Sequence, residues 1–305
     1  MTSLNILITG GTGFIGSALT KHLKNQHKVT VLSRHPSSAQ KQLGFDVKII
    51  SCLNDLNDLD PFDAVINLAG EPIANKRWSK RQKSRITGSR WHITSTLVQL
   101  MHTSNNPPSI FLSGSAIGIY GRQGNETIDE SFTDHHDEFS HQICQRWEEL
   151  AEGKPDNVRL CIMRTGIVLG TKGGALKRML PPFRFGLGGP LASGEQYMSW
   201  IHINDMVKAI IFLLDHPTAN GVFNLTAPSP CTNQEFTDAL GKQLERPAEF
   251  RLPRFLLRLL FGEMADLLIY GQRVVPSRLH EHGFHFCHSR LDEALASLLA
   301  RPKTK

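Results

Sequence analysis

Three glycines spaced three apart, Gly10, Gly13 and Gly16, carry the first chemistry readable in the chain. The first permits a tight turn, the second lets backbone approach a pyrophosphate, and the third lets a helix pack closely on a strand. The flanks suit that reading, with the apolar run Asn5-Ile6-Leu7-Ile8 before them and the helical pattern of residues 17–23 after them. The free N–H groups at such a helix start would face phosphate, and the helix dipole favours an anion there. A second strand, residues 28–32, ends at Ser33-Arg34-His35-Pro36. An acidic residue at that place reads the ribose 2′-hydroxyl of NAD, and none stands here. A hydroxyl followed by a guanidinium suits a 2′-phosphate, so the expected cofactor is NADP(H). Asn67-Leu68-Ala69-Gly70 offers small residues at another strand end, with Glu71 beside them as a polar-contact candidate. Hydroxyls recur where residues 109–113 run into Gly114-Ser115-Ala116-Ile117-Gly118-Ile119-Tyr120-Gly121, and strand ends of this kind are active-site candidates.

The elements that would position these residues alternate. Short apolar runs at 47–50, 64–70, 109–113 and 158–170 read as strands, and 79–101 and 141–150 read as helices. That alternation predicts parallel βαβ units, an α/β doubly wound Rossmann sheet over residues 1–228. The glycine- and proline-rich stretch 173–197 is too irregular for a sheet and is expected to form a substrate-facing lid, spanning about 171–198. Trp200 to Asp205 leads into a helix over 206–214 that Asn204 or Asp205 would cap, and residues 221–226 form a further strand. Thr232-Asn233-Gln234-Glu235 has capping-box spacing for the next helix. Residues 229–305 are expected to be a smaller, mainly helical C-terminal substrate region.

Composition excludes several classes. The 305 residues are 40% hydrophobic, enough for a full core, and the net charge of +6 comes from dispersed basic residues. Without a basic tract or a recognised module, nucleic acid is not an expected partner. The apolar stretches are too short to cross a bilayer and no charged leader precedes the first strand, so a cytoplasmic chain with no membrane partner is expected. Five cysteines without CxxC spacing predict reduced, mostly buried thiols. His280, His282, His285 and His288 crowd with Cys287, but Gly283 interrupts them and no acidic or thiol partner stands at ligand spacing, so no metal is expected. The expected partner is a small-molecule substrate.

Taken in order with Arg164-Thr165-Gly166-Ile167-Val168-Leu169-Gly170 and Trp200-Ile201-His202-Ile203-Asn204-Asp205, these strings make the chain resemble an extended short-chain dehydrogenase/reductase over residues 1 to about 228. Asn67 to Ile73, Gly186 to Pro190 and the tail after Pro247 resemble an atypical, epimerase-like branch, related to NAD-dependent epimerase/dehydratases, with a small C-terminal domain of unknown function. The resemblance implies NADP(H) across the strand ends and a substrate cleft against the C-terminal region. It further implies oxidoreductase or epimerase-like chemistry on a small polar, sugar-linked substrate. Cofactor contacts are implied at Gly10, Gly13, Phe14, Ile15, Ser33, Arg34, Leu68, Ala69, Glu71 and Val168, with Arg85 or Arg90 reaching from the long helix. Extended members carry a catalytic Tyr and, four residues on, a Lys that lowers its pKa. Aligned on Glu148, those places hold Ser140 and Cys144; shifted by one residue, His141 and Gln145. Ser115 keeps the supporting hydroxyl position, and Tyr120 and His141 are the neighbouring acid/base candidates, each also suited to packing. Without the pair, the alternative is a non-catalytic NADP(H)-binding or redox-sensing protein that works through a partner.

Overall fold

In the computed structural model, which describes residues 3–300, alternating apolar runs and amphipathic stretches fold as strand and helix in turn. The first half contains β1 (Asn5–Thr9), α1 (Phe14–Leu23), β2 (Lys28–Leu32), α2 (Pro36–Leu43), β3 (Lys48–Ile50), β4 (Ala64–Asn67), α3 (Lys80–Thr103), β5 (Ile110–Ala116), β6 (Thr127–Ile128) and α4 (Phe139–Glu152). Next come β7 (Arg159–Thr165), β8 (Ile167–Leu169), α5 (Gly174–Arg184), β9 (Tyr197–Met198), β10 (Trp200–His202), α6 (Ile203–Asp215) and β11 (Gly221–Leu225). The chain closes with β12 (Cys231–Thr232), α7 (Asn233–Leu244), α8 (Arg254–Phe261), α9 (Asp266–Ile269), β13 (Arg273–Val274), α10 (Ser277–Glu281) and α11 (Leu291–Leu299).

Seven strands make one parallel sheet in the order β11-β7-β5-β4-β1-β2-β3. Its strands are apolar on both faces because helices cover both. Ile6, Ile8, Ile66 and Leu112 meet Leu19 of α1 and Met206 of α6, while Leu7, Val65 and Phe111 meet Leu97 and Met101 of α3. After β3 the chain returns across β1 to add β4, so the strand order reverses between β1 and β4. Ligand crevices of doubly wound folds open at such a point, beyond the carboxyl ends of the strands.

Three expectations change. The apolar run 158–170 is two strands in different sheets, since β7 joins the main sheet whereas β8 pairs with β10. Gly166 lies at the break, where a side chain would collide with the Ser199 carbonyl. Much of the supposed irregular lid is α5, whose Leu176, Leu180 and Phe183 are buried in a core shared with Phe236 and Leu240 of α7 and Leu295 of α11. Pro181 and Pro182 fall in its last turn. The cap of α6 is His202, whose Nδ1 accepts the Asn204 N–H at 3.0 Å, and neither Asn204 nor Asp205 fills that role.

The C-terminal chain returns to the main core. Leu279 and Phe284 pack into the same cluster as Phe223, and Arg278 donates to the carbonyls of Val222 and Asn220 at 2.8 and 2.7 Å beside β11. The capping box at Thr232 and Glu235 forms as expected. Cys144, Cys161 and Cys231 are buried free thiols, and Cys52 and Cys287 are exposed. Among the described residues no helix is long and apolar enough to cross a membrane.

Candidate functional site

The ends of β1 and β4 are tied together by side chains. Thr9 Oγ1 donates to Asn67 Oδ1 at 2.6 Å and accepts the Ala69 N–H at 3.2 Å, and Asn67 Nδ2 donates to Thr94 Oγ1 at 2.8 Å. The three glycines of the turn answer to different demands. Gly10 has φ +69°, a left-handed conformation, and a Cβ there would lie 2.5 Å from the Leu68 carbonyl oxygen. A Cβ on Gly16 would collide with the Gly10 carbonyl. Gly13 has an ordinary φ of −71°, and a Cβ there would meet only the Gly10 oxygen, at 3.1 Å, with open space otherwise. The fold therefore requires Gly10 and Gly16, whereas Gly13 keeps clear the space in front of the turn. Gly13 is also the N-cap of α1, with no side-chain cap, so the first-turn N–H groups have no intrahelical acceptor. This uncapped helix start beside the Leu68-Ala69 backbone suits the pyrophosphate of a dinucleotide.

The remaining predicted cofactor residues lie around this crevice with differing freedom. Gly170, Gly173 and Gly174 each lack a side chain where one would strike the Phe14 ring, so the ring is packed and Phe14 contributes through its first-turn backbone. Ile15 is partly buried against the main core and Val168 is buried in it. Ser33 is buried with its N–H on the Ile50 carbonyl at 2.9 Å and its Oγ accepting the His35 N–H at 3.3 Å, and Arg34 beside it is exposed. Glu71 donates its N–H to Ser89 Oγ at 2.8 Å, and Arg85 is exposed on α3. Arg90 is engaged locally: it donates to the carbonyls of Glu71 and Ile86, both at 3.0 Å, and lies over the Trp147 ring. Its guanidinium fills the space a Gly70 side chain would take, and burial lowers its pKa. Arg90 thus shapes the loop after β4 from beneath.

At the ends of β5, β7 and β11 buried polar groups satisfy one another in a chain. Ser115 Oγ donates to Glu148 Oε1 at 2.5 Å, and Glu148 also accepts Arg164 Nε at 3.0 Å and Nη2 at 2.7 Å. Arg164 Nη1 donates to the Tyr120 hydroxyl at 3.1 Å, which donates to Asn224 Oδ1 at 2.7 Å. Burial works against the Arg164 charge, but hydrogen bonds and charge from Glu148 more than offset it and hold the guanidinium firmly protonated. Burial raises the Tyr120 pKa against the opposing pull of Arg164, and this phenol is fully enclosed. His141 Nδ1 donates to the Ile119 carbonyl at 2.5 Å. Cys144 is pushed up to about 12 by burial first and Glu148 second, so its thiol is neutral. Glu148, Arg164 and Asn224 were not among the predicted site residues; an arginine inside an apolar strand was the available signal.

A pocket of about 230 Å³ opens at the head of α4. Trp78 and Phe139 form an aromatic wall, their ring centroids 4.9 Å apart, and Ser140, Glu138, Arg122 and Asp266 supply polar walls. Ser140 Oγ donates to Glu138 Oε1 at 2.6 Å, and Glu138 pairs with Arg122 at 3.1 Å. A hydroxyl polarised by a carboxylate beside aromatic rings suits a small polar ligand. Ser140 reaches this pocket, whereas His141 and Tyr120 lie outside its lining.

His202, Asp205 and His288 offer ligand atoms within 4.8 Å of one another, so the acidic partner missing from the histidine-rich tail comes from α6. The geometry is that of a clasp. The two imidazoles stack at 3.7 Å and 16°, and His288 Nδ1 lies 3.2 Å from Asp205 Oδ2. Asp205 accepts the N–H groups of Cys287 and His288, each at 2.9 Å. Burial, with His288 beside it, pulls the His202 imidazole down to about 4.

Comparison with known proteins matches residues 6–226 to the NAD dependent epimerase/dehydratase family and residues 252–298 to a domain of unknown function. An epimerase family protein of Mycobacterium bovis is 38% identical over 99% of this chain and 100% of its own length. The chloroplastic SDR39U1 homolog of Arabidopsis thaliana is 37% identical over 98% of this chain and 87% of its own. The crystal structure of human epimerase family protein SDR39U1 with NADPH superposes with a TM-score of 0.89, at 34% identity, covering 97% of this chain and 99% of that one.

Proposed function

The chain belongs to the NAD-dependent epimerase/dehydratase family, and from that premise we propose that it holds NADP(H) across the ends of β1, β2 and β4 and acts on a small polar, sugar-like substrate at the head of α4. The observation that carries the reading is Gly13, which keeps clear the space in front of the turn at a helix start without a side-chain cap. NADPH in the human relative supports the phosphate-bearing cofactor, as does Arg34 at the end of β2. First-turn N–H groups of α1 would hold the pyrophosphate, and Ser33 and Arg34 the 2′-phosphate. Bound NADP(H) supplies the hydride donor or acceptor. Ser140 Oγ, with its own proton directed at Glu138, keeps lone pairs to accept a hydrogen bond from a substrate alcohol. In this reading Ser115, Tyr120 and His141 act as positioning residues.

Titration of the full chain with NADPH and NADH, followed by a metabolite panel read through nicotinamide absorbance, tests both halves. Tighter NADPH binding, and turnover that Ser140→Ala lowers by about tenfold or more, is expected. NADH bound as tightly as NADPH overturns the cofactor assignment, and turnover unchanged by Ser140→Ala overturns the role of Ser140. A second reading, a non-catalytic NADP(H)-binding protein, is favoured by the absence of a cation where the family's lysine would stand, since that place holds Cys144, a neutral thiol, or in the shifted alignment Gln145. Tight NADPH binding with no turnover across the panel is its outcome.

A further inference from the structure

Phe185, Leu187, Phe250, Phe255, Leu259 and Leu260 are each at least 49% exposed, and they fall in two short stretches, 185–187 and 250–260, whose neighbouring backbones run side by side at 186–190 and 247–252 before α8 begins. The Phe250 N–H donates to the Gly188 carbonyl at 3.1 Å and the Leu252 N–H to the Pro190 carbonyl at 2.9 Å, while Gly186 lies against Pro247. The other large apolar side chain so exposed among the described residues, Phe45, lies apart in the turn after α2. Single exposed apolar residues are ordinary, but a contiguous group marks a contact surface. Helix α8 states the pattern most clearly, because Arg-Phe-Leu-Leu-Arg-Leu-Leu-Phe is apolar nearly all round, yet of its residues only Leu257 is fully buried.

Arginines are interleaved with these side chains. Arg184, Arg246, Arg251, Arg254 and Arg258 are exposed on or beside the same two stretches, against the carboxylates Glu245 and Glu249, with Arg246 donating to the Arg184 carbonyl and Arg251 to the Ala192 carbonyl and Gln234 Oε1. Arg258 pairs with Asp266 at 3.4 Å, and Arg254 lies 5.5 Å over the Tyr270 ring, so the face adjoins the pocket that Asp266 lines.

We propose that this face docks on an anionic lipid surface, with the phenylalanines and leucines entering the headgroup region and the arginines meeting lipid phosphates. Aromatic and leucine side chains combined with arginine are the composition of interfacial segments, and the positive excess complements anionic headgroups. A second copy of the chain complements it poorly, because a two-fold contact would set one arginine cluster against the other. Docking needs no membrane-crossing helix. The inference is independent of NADP(H) binding.

The test is co-sedimentation of the full chain with vesicles of phosphatidylcholine alone or mixed with phosphatidylglycerol, at low and high salt. Binding to the mixed vesicles only, weakened by salt, is expected, and Phe255→Ser with Leu259→Ser should reduce it by about tenfold or more. Phe185→Ser with Leu187→Ser provides a second variant, and an unchanged unfolding temperature and NADPH affinity certify that each pair still folds. No sedimentation with mixed vesicles at low salt overturns the proposal, as does equal binding by folded variants. A wild-type dimer by light scattering that either variant converts to monomer would assign the face to a second copy.

Discussion

At the ends of β1 and β4 the chain leaves backbone donors uncapped and a glycine facing open space, whereas at the ends of β5, β7 and β11 side chains bind one another in a buried network. Both regions lie on the carboxyl edge of one sheet. The difference is one of charge as well as of space. The open side presents partial charges of amides, which need no counter-charge while water occupies the crevice. The sealed side buries a full ion pair, stable only because Glu148 accepts both Arg164 and Ser115. A receptive site and its supporting wall therefore call for opposite chemistry, and mutations should affect them in opposite ways.

The largest effect is expected on the sealed side. Glu148→Ala removes one partner of a buried pair and strands Arg164, which should cost about 3–5 kcal/mol in chemical denaturation while leaving the NADPH affinity of the protein that remains folded unaltered. An affinity that fell in step with stability would merge the two regions. Acid tests a separate buried group, the His202 clasp at the head of α6, without a mutation. His202 titrates near 4 in the fold, below its ordinary value of about 6.5, so its stabilising contribution is complete above about pH 6.5 and is lost as pH falls through 4. Between those limits about 3 kcal/mol should disappear, and His202→Asn, which keeps an acceptor for the cap, should flatten that part of the pH–stability curve.

On the open side the expected losses are in binding. Gly13→Val should weaken NADPH by about a hundredfold or more in calorimetry on the protein that remains folded, with a modest fall in unfolding temperature because the side chain crowds the Gly10 oxygen and replaces a favourable N-cap residue. Normal binding by the folded variant would place the phosphates elsewhere. Arg34→Asp should shift the NADPH-to-NADH preference by about tenfold or more, since it deletes a charged donor and adds repulsion; an unchanged ratio would remove Arg34 from the site. On the sealed side, a smaller loss of stability than that of Glu148→Ala should come from Tyr120→Phe. It leaves Arg164 Nη1 and Asn224 Oδ1 short of a partner, for a loss of about 1–3 kcal/mol. A change in catalytic rate without a change in stability would return Tyr120 to the acid/base candidates.

The two regions were also unequally legible in the sequence. The open side is local: strand, glycine turn and helix occupy consecutive residues, so spacing alone located β1, α1 and the end of β2. The sealed side joins residues 16 to 104 positions apart, on a helix and three strands, and spacing carries no record of such pairing. Gly166 hid the boundary of β7 and β8 because the apolar pattern continues across it. Pro181 and Pro182 concealed α5, although Leu176, Leu180 and Phe183 held helical spacing throughout. Ser140 illustrates the same limit, because its reach into the pocket depends on Glu138, Arg122 and Asp266, and the last of these belongs to α9.

The clasp of Asp205 on the backbone of Cys287 and His288 bears on how the chain is made. Leu279 and Phe284 fill the same core as β1 and α1, so the nucleotide-binding half lacks part of its interior until residue 284 has been synthesised. A ribosome adds about 5–20 residues each second, which leaves the early strands waiting roughly 14–55 seconds for the segment that completes them. During translation the first half should therefore present an incomplete core to chaperones, and a chain cut after residue 228 should be recovered as a loosely packed, aggregation-prone species and not as an independent dinucleotide-binding domain.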